Sequence, residues 1–187
     1  QVNNLLDMAR LQAGAVRLNR QWQPLEEVVG SATKAMASVL AQHRLSVRLP
    51  EDLPLLEFDA VLIERVLVNL LDNAAKYTPS GSLIEVGAAP GARDHIDVWV
   101  EDDGPGLPAG REEQIFQKFE RGRKESTTPG VGLGLAICRA IVEAHGGNIS
   151  AGKRANGGAR FVFSLPRGKP PLVEVDDEGA IAEEIHW

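Results

Sequence analysis

Hydrophobic residues follow two spacings along this chain, and the spacing changes from segment to segment. Intervals of three and four, typical of helices, occur at residues 2–13, 24–42, 59–78, 111–119 and 130–146. Alternation of apolar and polar residues, typical of strands, occurs at residues 16–22, 45–49, 55–58, 82–89, 95–102, 148–154 and 159–165. Asp59 is a natural N-cap for the third helical segment, and Pro79 requires that helix to end before it.

The order of these segments predicts a fold class. Helical segments alternate with pairs of strands joined by short turns, as at Pro90-Gly91 and Asn156-Gly157-Gly158. We therefore predict an α+β fold, an α/β sandwich in which helices cover one face of a mixed, largely antiparallel sheet. This domain is expected to span residues 16–166. Residues 1–15 are either the end of a longer helix or an ordinary first helix, and 167–187 form an acidic C-terminal tail.

The helical segment 64–77 has an unusual polar face. Residues at spacings of three and four share one side of this helix: Arg65, Asn69, Asp72, Asn73 and Lys76. Asn is a poor residue inside a helix because its side chain competes for backbone hydrogen bonds, so two Asn one turn apart need a reason. Either they are buried and cap neighbouring loops, or they line up with one ammonium group toward a bound anion and its metal.

Glycine clusters and one aspartate indicate a ligand near the turns. Glycine suits a backbone with positive φ or a close approach by a ligand, and clusters occur at 104–106, 130–134 and 157–158. The cluster at 130–134 runs directly into a helix start, where free N–H groups and the helix dipole favour phosphate. Asp102 ends a strand just before a glycine turn, so its carboxylate can accept a hydrogen bond from an adenine amine or from its own turn.

Composition and charge exclude several classes of protein. The 187 residues are 43% hydrophobic and 25% charged, as in ordinary globular domains. The net charge is −6, and we find no basic stripe of the kind that binds nucleic acid. One cysteine, Cys138, excludes a disulfide framework, which fits a reducing cytoplasm. No apolar run approaches the ~20 residues that span a bilayer.

Four motifs occur in a fixed order: N-x-x-x-N-A-A-K-Y at 69–77, D-x-G-x-G at 102–106, F-x-x-F at 116–119 and G-x-G-L-G at 130–134. Together they resemble the catalytic ATP-binding domain, of the Bergerat type, of sensor histidine kinases. The resemblance covers nearly all of residues 1–166. Within that family, the run FERGRKESTTPGVGLGLAICRAIVEAHGG and the upstream LLDMARLQAG are most similar to potassium-responsive Kdp-type kinases.

The resemblance implies a role for each matching residue. Asn73 is expected to ligate the Mg²⁺ that bridges the phosphates of ATP, with Asn69 supporting the same site and Lys76 near the phosphates. These three are the expected catalytic residues. Asp102 and Tyr77 are expected at the adenine. The other expected nucleotide contacts are Gly104, Gly106, Arg121, Gly130, Val131, Gly132, Leu133 and Gly134.

The segment that joins the second and fourth motifs is expected to include a lid over the nucleotide. Phe116 and Phe119 belong to the stretch before that lid, and plain core packing is their other role. Arg121, Arg123 and Lys124 lie in the lid itself. Each of these cations can either neutralise charge on the γ-phosphate or remain a solvated loop charge.

One substitution separates this chain from other ATPases with the same fold. Enzymes of the gyrase and Hsp90 kind carry a Glu four residues before the metal-binding Asn, where it activates water. Here that position is Asn69, which cannot act as a base, so phosphoryl transfer to another acceptor is favoured over hydrolysis. The acceptor histidine of sensor kinases is missing, because none of the four histidines lies in a helix with the expected Glu or Asp after it.

We therefore expect a Mg-ATP-binding domain of a two-component sensor histidine kinase. Residues 1–15 would then end the helix of a dimerisation and phosphoacceptor domain. The expected partners are that domain and a response regulator, in a homodimer anchored in the inner membrane with this domain in the cytoplasm. The fragment itself is expected to be monomeric.

Two other functions stay open on the same fold. The first is a regulatory module that senses ATP or ADP without transferring phosphate, which would bind nucleotide equally with and without magnesium. The second is an anti-sigma serine kinase, which the helix remnant at residues 1–14 disfavours. The acidic tail is either a disordered extension or, through Ile181, Ile185 and Trp187, a short docking helix.

Overall fold

Two sheets, three α-helices and a 3₁₀ turn have their bounds within the part of the chain that the computed structural model describes, namely residues 6, 9–10, 13–14, 17–117 and 134–172; residues 6 and 9–10 are also helical. In chain order they are β1 Gln21–Gln23, α1 Leu25–Ala35, β2 Arg44–Arg48, β3 Leu56–Phe58, α2 Ala60–Tyr77, β4 Leu83–Pro90, β5 His95–Asp102, a 3₁₀ turn Gln114–Phe116, α3 Gly134–Ala144, β6 Ile149–Lys153 and β7 Ala159–Pro166. None of these helices is long and apolar enough to cross a membrane.

The main sheet has the strand order β2-β4-β5-β7-β6. β2 and β4 run parallel, whereas every other neighbouring pair in this sheet is antiparallel. β1 and β3 form a separate antiparallel ribbon, in which Trp22 is opposite Glu57. The prediction of a mixed, largely antiparallel sheet is confirmed.

The helices cover one face of the main sheet. α2 contacts both α1 and α3, and its apolar side packs on the strands. The side chains that the sheet turns toward the helices are buried, including Ile84, Val86, Ile96, Val98, Val100, Phe161, Phe163 and Leu165. On the other face, Trp99 lies over Gly87, where an added Cβ would be 2.4 Å from the indole. That contact explains a glycine inside a strand.

α1 and α2 differ in how well their ends could be predicted. Asp59 caps α2 by accepting a hydrogen bond from the backbone N–H of Leu62, and the helix ends at Tyr77 as expected. α1 ends at Ala35 instead of near residue 42, and turns follow it. Met36 and Leu40 are nevertheless buried at helical spacing. In this segment the helical spacing of apolar residues reflects their burial, although the backbone is no longer α-helical.

Two short elements are also smaller than predicted. The strand expected at 16–22 is limited to Gln21–Gln23, the three residues that pair with β3. The helix expected at 111–119 is a 3₁₀ turn of three residues, Gln114–Phe116. Residues 118 and 119 lie outside the described part of the chain.

The chain enters and leaves the domain on the same side. Trp22 in β1 lies against Gly168, where an added Cβ would be 2.9 Å from the indole. Just before β1, the N–H of Asn19 donates to Asp59 Oδ2 at 3.0 Å, and the guanidinium of Arg20 donates to the Ala144 carbonyl at 2.8 Å. The incoming segment is thus fixed to the first turn of α2 and the last of α3. The domain boundaries at 15/16 and 166/167 remain predictions.

Candidate functional site

The polar side of α2 lies at the surface of the sandwich. Asn69, Asp72 and Asn73 are half-buried there, whereas Lys76 and Tyr77 at the end of the helix are exposed. The opposite side of the helix is buried in the core: Ile63, Val66, Leu67, Leu70, Leu71 and Ala74. The helix therefore joins the core to a row of polar groups that a ligand can reach.

The start of α3 lies beside Asn69. The side-chain Nδ2 of Asn69 donates to the backbone carbonyl of Gly134 at 3.4 Å. This contact brings the first and fourth sequence motifs together, although they are 65 residues apart. Asn69 therefore caps a backbone carbonyl of a neighbouring segment, as in the first of the two explanations given above for the asparagines of this helix.

Lys76 and Asp72 form an ion pair within α2. Lys76 Nζ is 2.6 Å from Asp72 Oδ2, and the two side chains are 44% and 36% exposed. An exposed pair at i,i+4 contributes little to stability, roughly 0.3–0.5 kcal/mol. The ammonium of Lys76 can therefore leave Asp72 for the phosphate of a ligand at small cost.

Asp102 is buried at the end of β5 and binds two backbone N–H groups. Its Oδ1 accepts from Gly104 at 3.0 Å and from Ala159 at 3.3 Å. The turn-bonding explanation therefore holds for this oxygen, and a carboxylate has a second oxygen that can accept from a ligand. Burial raises the pKa of Asp102 above its usual value, and Asp103 adds to the rise, while the two N–H donors oppose it.

The glycines around Asp102 have packing reasons of their own. An added Cβ on Gly104 would be 2.6 Å from Cγ2 of Thr78, and one on Gly106, at φ +80°, would be 3.2 Å from the Gly158 carbonyl. Gly158 has a φ of +106°, and an added Cβ there would be 1.8 Å from the Asp102 carbonyl. These glycines let three segments meet closely, so contact with a ligand is not needed to explain them.

Two glycines flank the polar row of α2. Gly134 lies beside Asn69, and Gly104 lies beside Thr78, which directly follows the helix. At 1.5 Å per residue, these two points are roughly 13 Å apart along the helix. An extended nucleoside triphosphate is long enough to span that distance.

Several predicted site residues lie outside the part of the chain that the structure describes. They are Phe119, Arg121, Arg123, Lys124, Gly130, Val131, Gly132 and Leu133. Their assignments remain predictions. Phe116 is described, and its ring is buried 6.3 Å from that of Phe161, with the guanidinium of Arg139 at 4.6 Å on another side. Phe116 therefore packs in the core.

Three histidines have structural contacts. His145 is buried, its Nδ1 donates to the Ile141 carbonyl at 2.8 Å, and its Nε2 accepts from the backbone of Asp59 at 3.0 Å. Burial lowers the pKa of His145, which keeps it neutral. His95 lies within hydrogen-bond distance of two backbone carbonyls, and His43 bonds a threonine. None of these contacts has the character of a phosphoacceptor site.

Cys138 is a buried thiol on α3. Its Sγ donates to the Val66 carbonyl at 3.8 Å, and burial raises its pKa to about 12. A thiol with such a pKa stays protonated at neutral pH and is a poor nucleophile. Cys138 is therefore an inert structural cysteine.

Sequence reasoning missed two residues next to Asp102. Thr78 packs on Gly104, and Gly158 packs on the Asp102 carbonyl. The only sequence signal was the glycine pair 157–158, which we assigned to a hairpin turn. A turn explains one positive φ easily, but it does not show which distant segment comes close.

Comparison with known proteins identifies the class to which this fold and site belong. Residues 58–169 match the family described as histidine kinase-, DNA gyrase B- and HSP90-like ATPases. This match covers more than half of the chain, so the protein belongs to that family of ATPases.

Relatives of this chain include sensor proteins. The chain is 52% identical over 174 residues to the sensor protein KdpD of Escherichia coli (strain K12), which is 92% of this chain and 19% of that protein. It is 39% identical over 168 residues, or 89% of this chain and 19% of the relative, to KdpD of Clostridium acetobutylicum. The chain thus spans about a fifth of the length of the curated relatives that it matches. The predicted resemblance to Kdp-type sensor kinases is confirmed.

Solved structures support the same fold. Full-length ShkA in complex with AMPPNP has a TM-score of 0.79 at 26% identity, over 91% of this chain and 36% of that one. The nucleotide-free catalytic domain of the histidine kinase ThkA has a TM-score of 0.67 at 29% identity, over 81% of this chain and 99% of that one. The prediction of an ATP-binding catalytic domain of a sensor histidine kinase is confirmed.

Proposed function

We propose that this domain binds Mg-ATP along the polar face of α2 and transfers the γ-phosphoryl group to a histidine on a dimerisation domain. One observation carries the proposal: the polar row from Asn69 to Lys76 lies between Gly134, at the start of α3, and the glycine turn at Asp102–Gly104. The complex of the similar kinase ShkA with AMPPNP supports nucleotide binding on this fold.

Asn73 is the proposed protein ligand of magnesium. Mg²⁺ prefers oxygen ligands and keeps much of its water shell, so one amide oxygen together with phosphate oxygens suits it. Within the described residues, no group of three or more His, Cys, Asp or Glu could hold a metal ion. The metal would accordingly arrive with the nucleotide. When bound, it supplies charge neutralisation for the phosphates.

The other polar groups of the site would position the nucleotide. Lys76 would exchange Asp72 for a phosphate oxygen, and Tyr77, which is 69% exposed, would cover the base. Asp102 would accept a hydrogen bond from the adenine amine. Asn69 donates to a carbonyl and carries no basic group, which favours transfer to a protein acceptor over hydrolysis by an activated water.

The whole protein is proposed to be a sensor kinase of potassium or osmotic signalling. The 52% identity to KdpD of Escherichia coli supports this proposal, which extends beyond the fifth of that relative's length that the chain matches. The proposed partners are a dimerisation and phosphoacceptor domain and a response regulator. The protein would act as a homodimer anchored in the inner membrane, with this domain in the cytoplasm.

Calorimetry with AMPPNP, with and without Mg²⁺, tests the proposal on the wild type and on Asn73→Ala. Asn148→Ala is a matched control, because Asn148 is exposed at the start of β6 and bonds through its backbone. We expect magnesium-dependent binding in the wild type and the control, and its loss in Asn73→Ala. If AMPPNP binds equally with and without Mg²⁺, and equally to wild type and Asn73→Ala, the domain is a nucleotide sensor instead. If AMPPNP does not bind to the wild type, the proposal is contradicted.

A further inference from the structure

A short segment outside the four motifs holds the turn that follows α2. We call residues 42–44 the brace. The Gln42 carbonyl accepts from the N–H of Gly81 at 2.6 Å, and Arg44 Nε donates to the Gly81 carbonyl at 3.0 Å. The N–H of Arg44 also donates to the Ser82 carbonyl at 2.9 Å. The brace therefore fixes the chain immediately after the polar helix.

The brace also reaches the other side of the site. The guanidinium of Arg44 lies 3.5 Å from Asp103 Oδ2, and Asp103 Oδ1 accepts from the N–H of Leu83 at 2.7 Å. Asp103 directly follows Asp102, the proposed adenine acceptor. One segment thus contacts both the end of α2 and the end of β5.

His43, at the centre of the brace, bonds Thr78. The Thr78 hydroxyl donates its single proton to the Ala74 carbonyl at 2.7 Å. Its oxygen must therefore accept from His43, whose Nε2 is 3.0 Å away. This arrangement assigns the proton of the neutral imidazole to Nε2 and holds the threonine in one rotamer.

The second ring nitrogen of His43, Nδ1, has a different environment from Nε2. Nδ1 is buried and has no hydrogen-bond partner among the residues that the structure describes. A buried acceptor without a donor is destabilising, whereas an apolar side chain of similar size would fill the space without that cost. The contact with Thr78 is thus the interaction that requires an imidazole here.

Thr78 transmits its position to the loop that follows Asp102. Its methyl group packs so closely on Gly104 that an added Cβ there would lie 2.6 Å from it. The N–H of Gly104 in turn donates to Asp102 Oδ1 at 3.0 Å. A change in the rotamer of Thr78 would alter the packing on Gly104, whose N–H donates to the carboxylate of Asp102.

We propose that His43 is a positioning residue for nucleotide recognition, acting through Thr78 and Gly104 on the Asp102 carboxylate. The proposal rests on the proposed function, in which Asp102 selects adenine through its exocyclic amine. Loss of the His43 bond lowers affinity for adenine nucleotides and weakens their preference over guanine nucleotides. It leaves the phosphate side, at Asn69 and Gly134, unchanged.

The test compares nucleotide binding by His43→Leu, His43→Gln and His95→Leu, using Mg-AMPPNP and its guanine counterpart in calorimetry. Leu removes the donor, whereas the amide of Gln can place a donor near the position of Nε2. His95 is the matched control, because it lies at the start of β5, seven residues or roughly 23 Å from Asp102. Among these three variants, we expect the dissociation constant for Mg-AMPPNP to rise about tenfold in His43→Leu alone, the change that follows if the hydrogen bond from adenine to Asp102 is lost.

A second variant and a second measurement keep the test independent of folding problems. Thr78→Val keeps the packed methyl group but removes the hydroxyl, so it should match His43→Leu, and the double variant should be no weaker than either. Hydrogen exchange at the Gly104 amide, measured without nucleotide, should accelerate in His43→Leu and Thr78→Val. The Gly147 amide, which bonds Val142, should stay unchanged.

The outcomes separate the two proposals. If wild type binds Mg-AMPPNP but His43→Leu binds as tightly as His95→Leu, His43 has no positioning role and the proposed function stands. Unchanged exchange at Gly104 would also overturn the role of His43. If wild type binds no adenine nucleotide, the proposed function fails, and the role of His43 fails with it.

Discussion

The two ends of the candidate site are built differently. At the Asp102 end, the side chain is buried and accepts hydrogen bonds from two backbone N–H groups. Gly104 and Gly158 pack closely around it. Along the polar face of α2, Lys76 and Tyr77 are exposed, and the ammonium of Lys76 bonds a carboxylate on its own helix. We call these the closed end and the open face.

This difference separates stability from function. A change at the closed end disturbs contacts among three segments, so it should reduce both the free energy of unfolding and nucleotide binding. A change on the open face removes groups that do little for the fold, so it should affect function alone. The closed end is held by contacts within the protein, which reduces the ordering cost of binding. The following predictions test that separation, beginning with the largest effect.

Gly158→Ala should be the most destabilising of these substitutions. The new Cβ would lie 1.8 Å from the Asp102 carbonyl at a φ of +106°, whereas Gly157, at +91°, has nothing within 4 Å of its added Cβ. Left-handed strain costs about 1–2 kcal/mol, and overpacking adds about 1–3 kcal/mol. Urea denaturation should therefore show a loss of about 2–5 kcal/mol for Gly158→Ala. Gly157→Ala, as control, should show the strain alone; equal losses would refute close packing at the closed end.

Asn73→Ala should remove activity without unfolding the domain. We expect phosphoryl transfer to a dimerisation-domain substrate to fall on the order of 10²-fold or more, as when one preorganised electrostatic contact is lost. The melting temperature should stay close to that of the wild type, because Asn73 is half-buried on the open face. Transfer near the wild-type rate would remove the metal assignment, and a large drop in melting temperature would contradict the separation of the two regions.

Asp102→Asn should weaken binding of Mg-AMPPNP about tenfold and alter the pH dependence of stability. Because folding raises the pKa of Asp102 above its usual 3.8, the stability that its protonated form contributes is present below that pH. It is lost as the pH rises through the raised pKa. The free energy of unfolding of Asp102→Asn, relative to wild type, should thus improve from pH 3.8 upward. Asp52→Asn, at an exposed position, is the control. If the free energy of unfolding depends on pH in the same way in Asp102→Asn and in wild type, burial does not destabilise the charged carboxylate of Asp102.

Lys76→Met should have the smallest effect on stability, at most about 0.5 kcal/mol, because it removes an exposed pair within one helix. Affinity for Mg-AMPPNP should nevertheless fall, and Asp72→Asn, which frees the ammonium, should not reproduce that fall. Thermal denaturation and calorimetry on the same samples measure both quantities. A stability loss above 1 kcal/mol would show that the open face also supports the fold.

The sequence predicted the elements whose signals are local. α2 has a side-chain cap at Asp59, a long apolar stripe and a proline after its end, and all three signals agree with the helix found. β5 alternates buried and half-buried residues along most of its length, and a short turn separates it from β4. The early end of α1 escaped prediction because Met36 and Leu40 remain buried at helical spacing after the helix has ended.

The site was predictable in its residue types but not in its contacts. The motifs indicated Asn73 and Asp102 as candidate ligand groups, and their roles remain predictions. The contact of His43 with Thr78 joins residues 35 apart, and that of Ala159 with Asp102 joins residues 57 apart. Such pairs depend on how strands and turns meet in the folded sandwich. The pattern of residues within one segment does not indicate which distant residues it will contact.

The contact of Trp22 with Gly168 bears on how this domain can be moved between proteins. Because the incoming strand and the outgoing chain touch, both connections emerge at one point of the surface. A unit attached at one point can be excised, grafted into a host loop or circularly permuted with only a short new link, since its core is not threaded through its surroundings. Exchange of such a unit among receptors with different inputs would require a suitable junction and little repacking elsewhere.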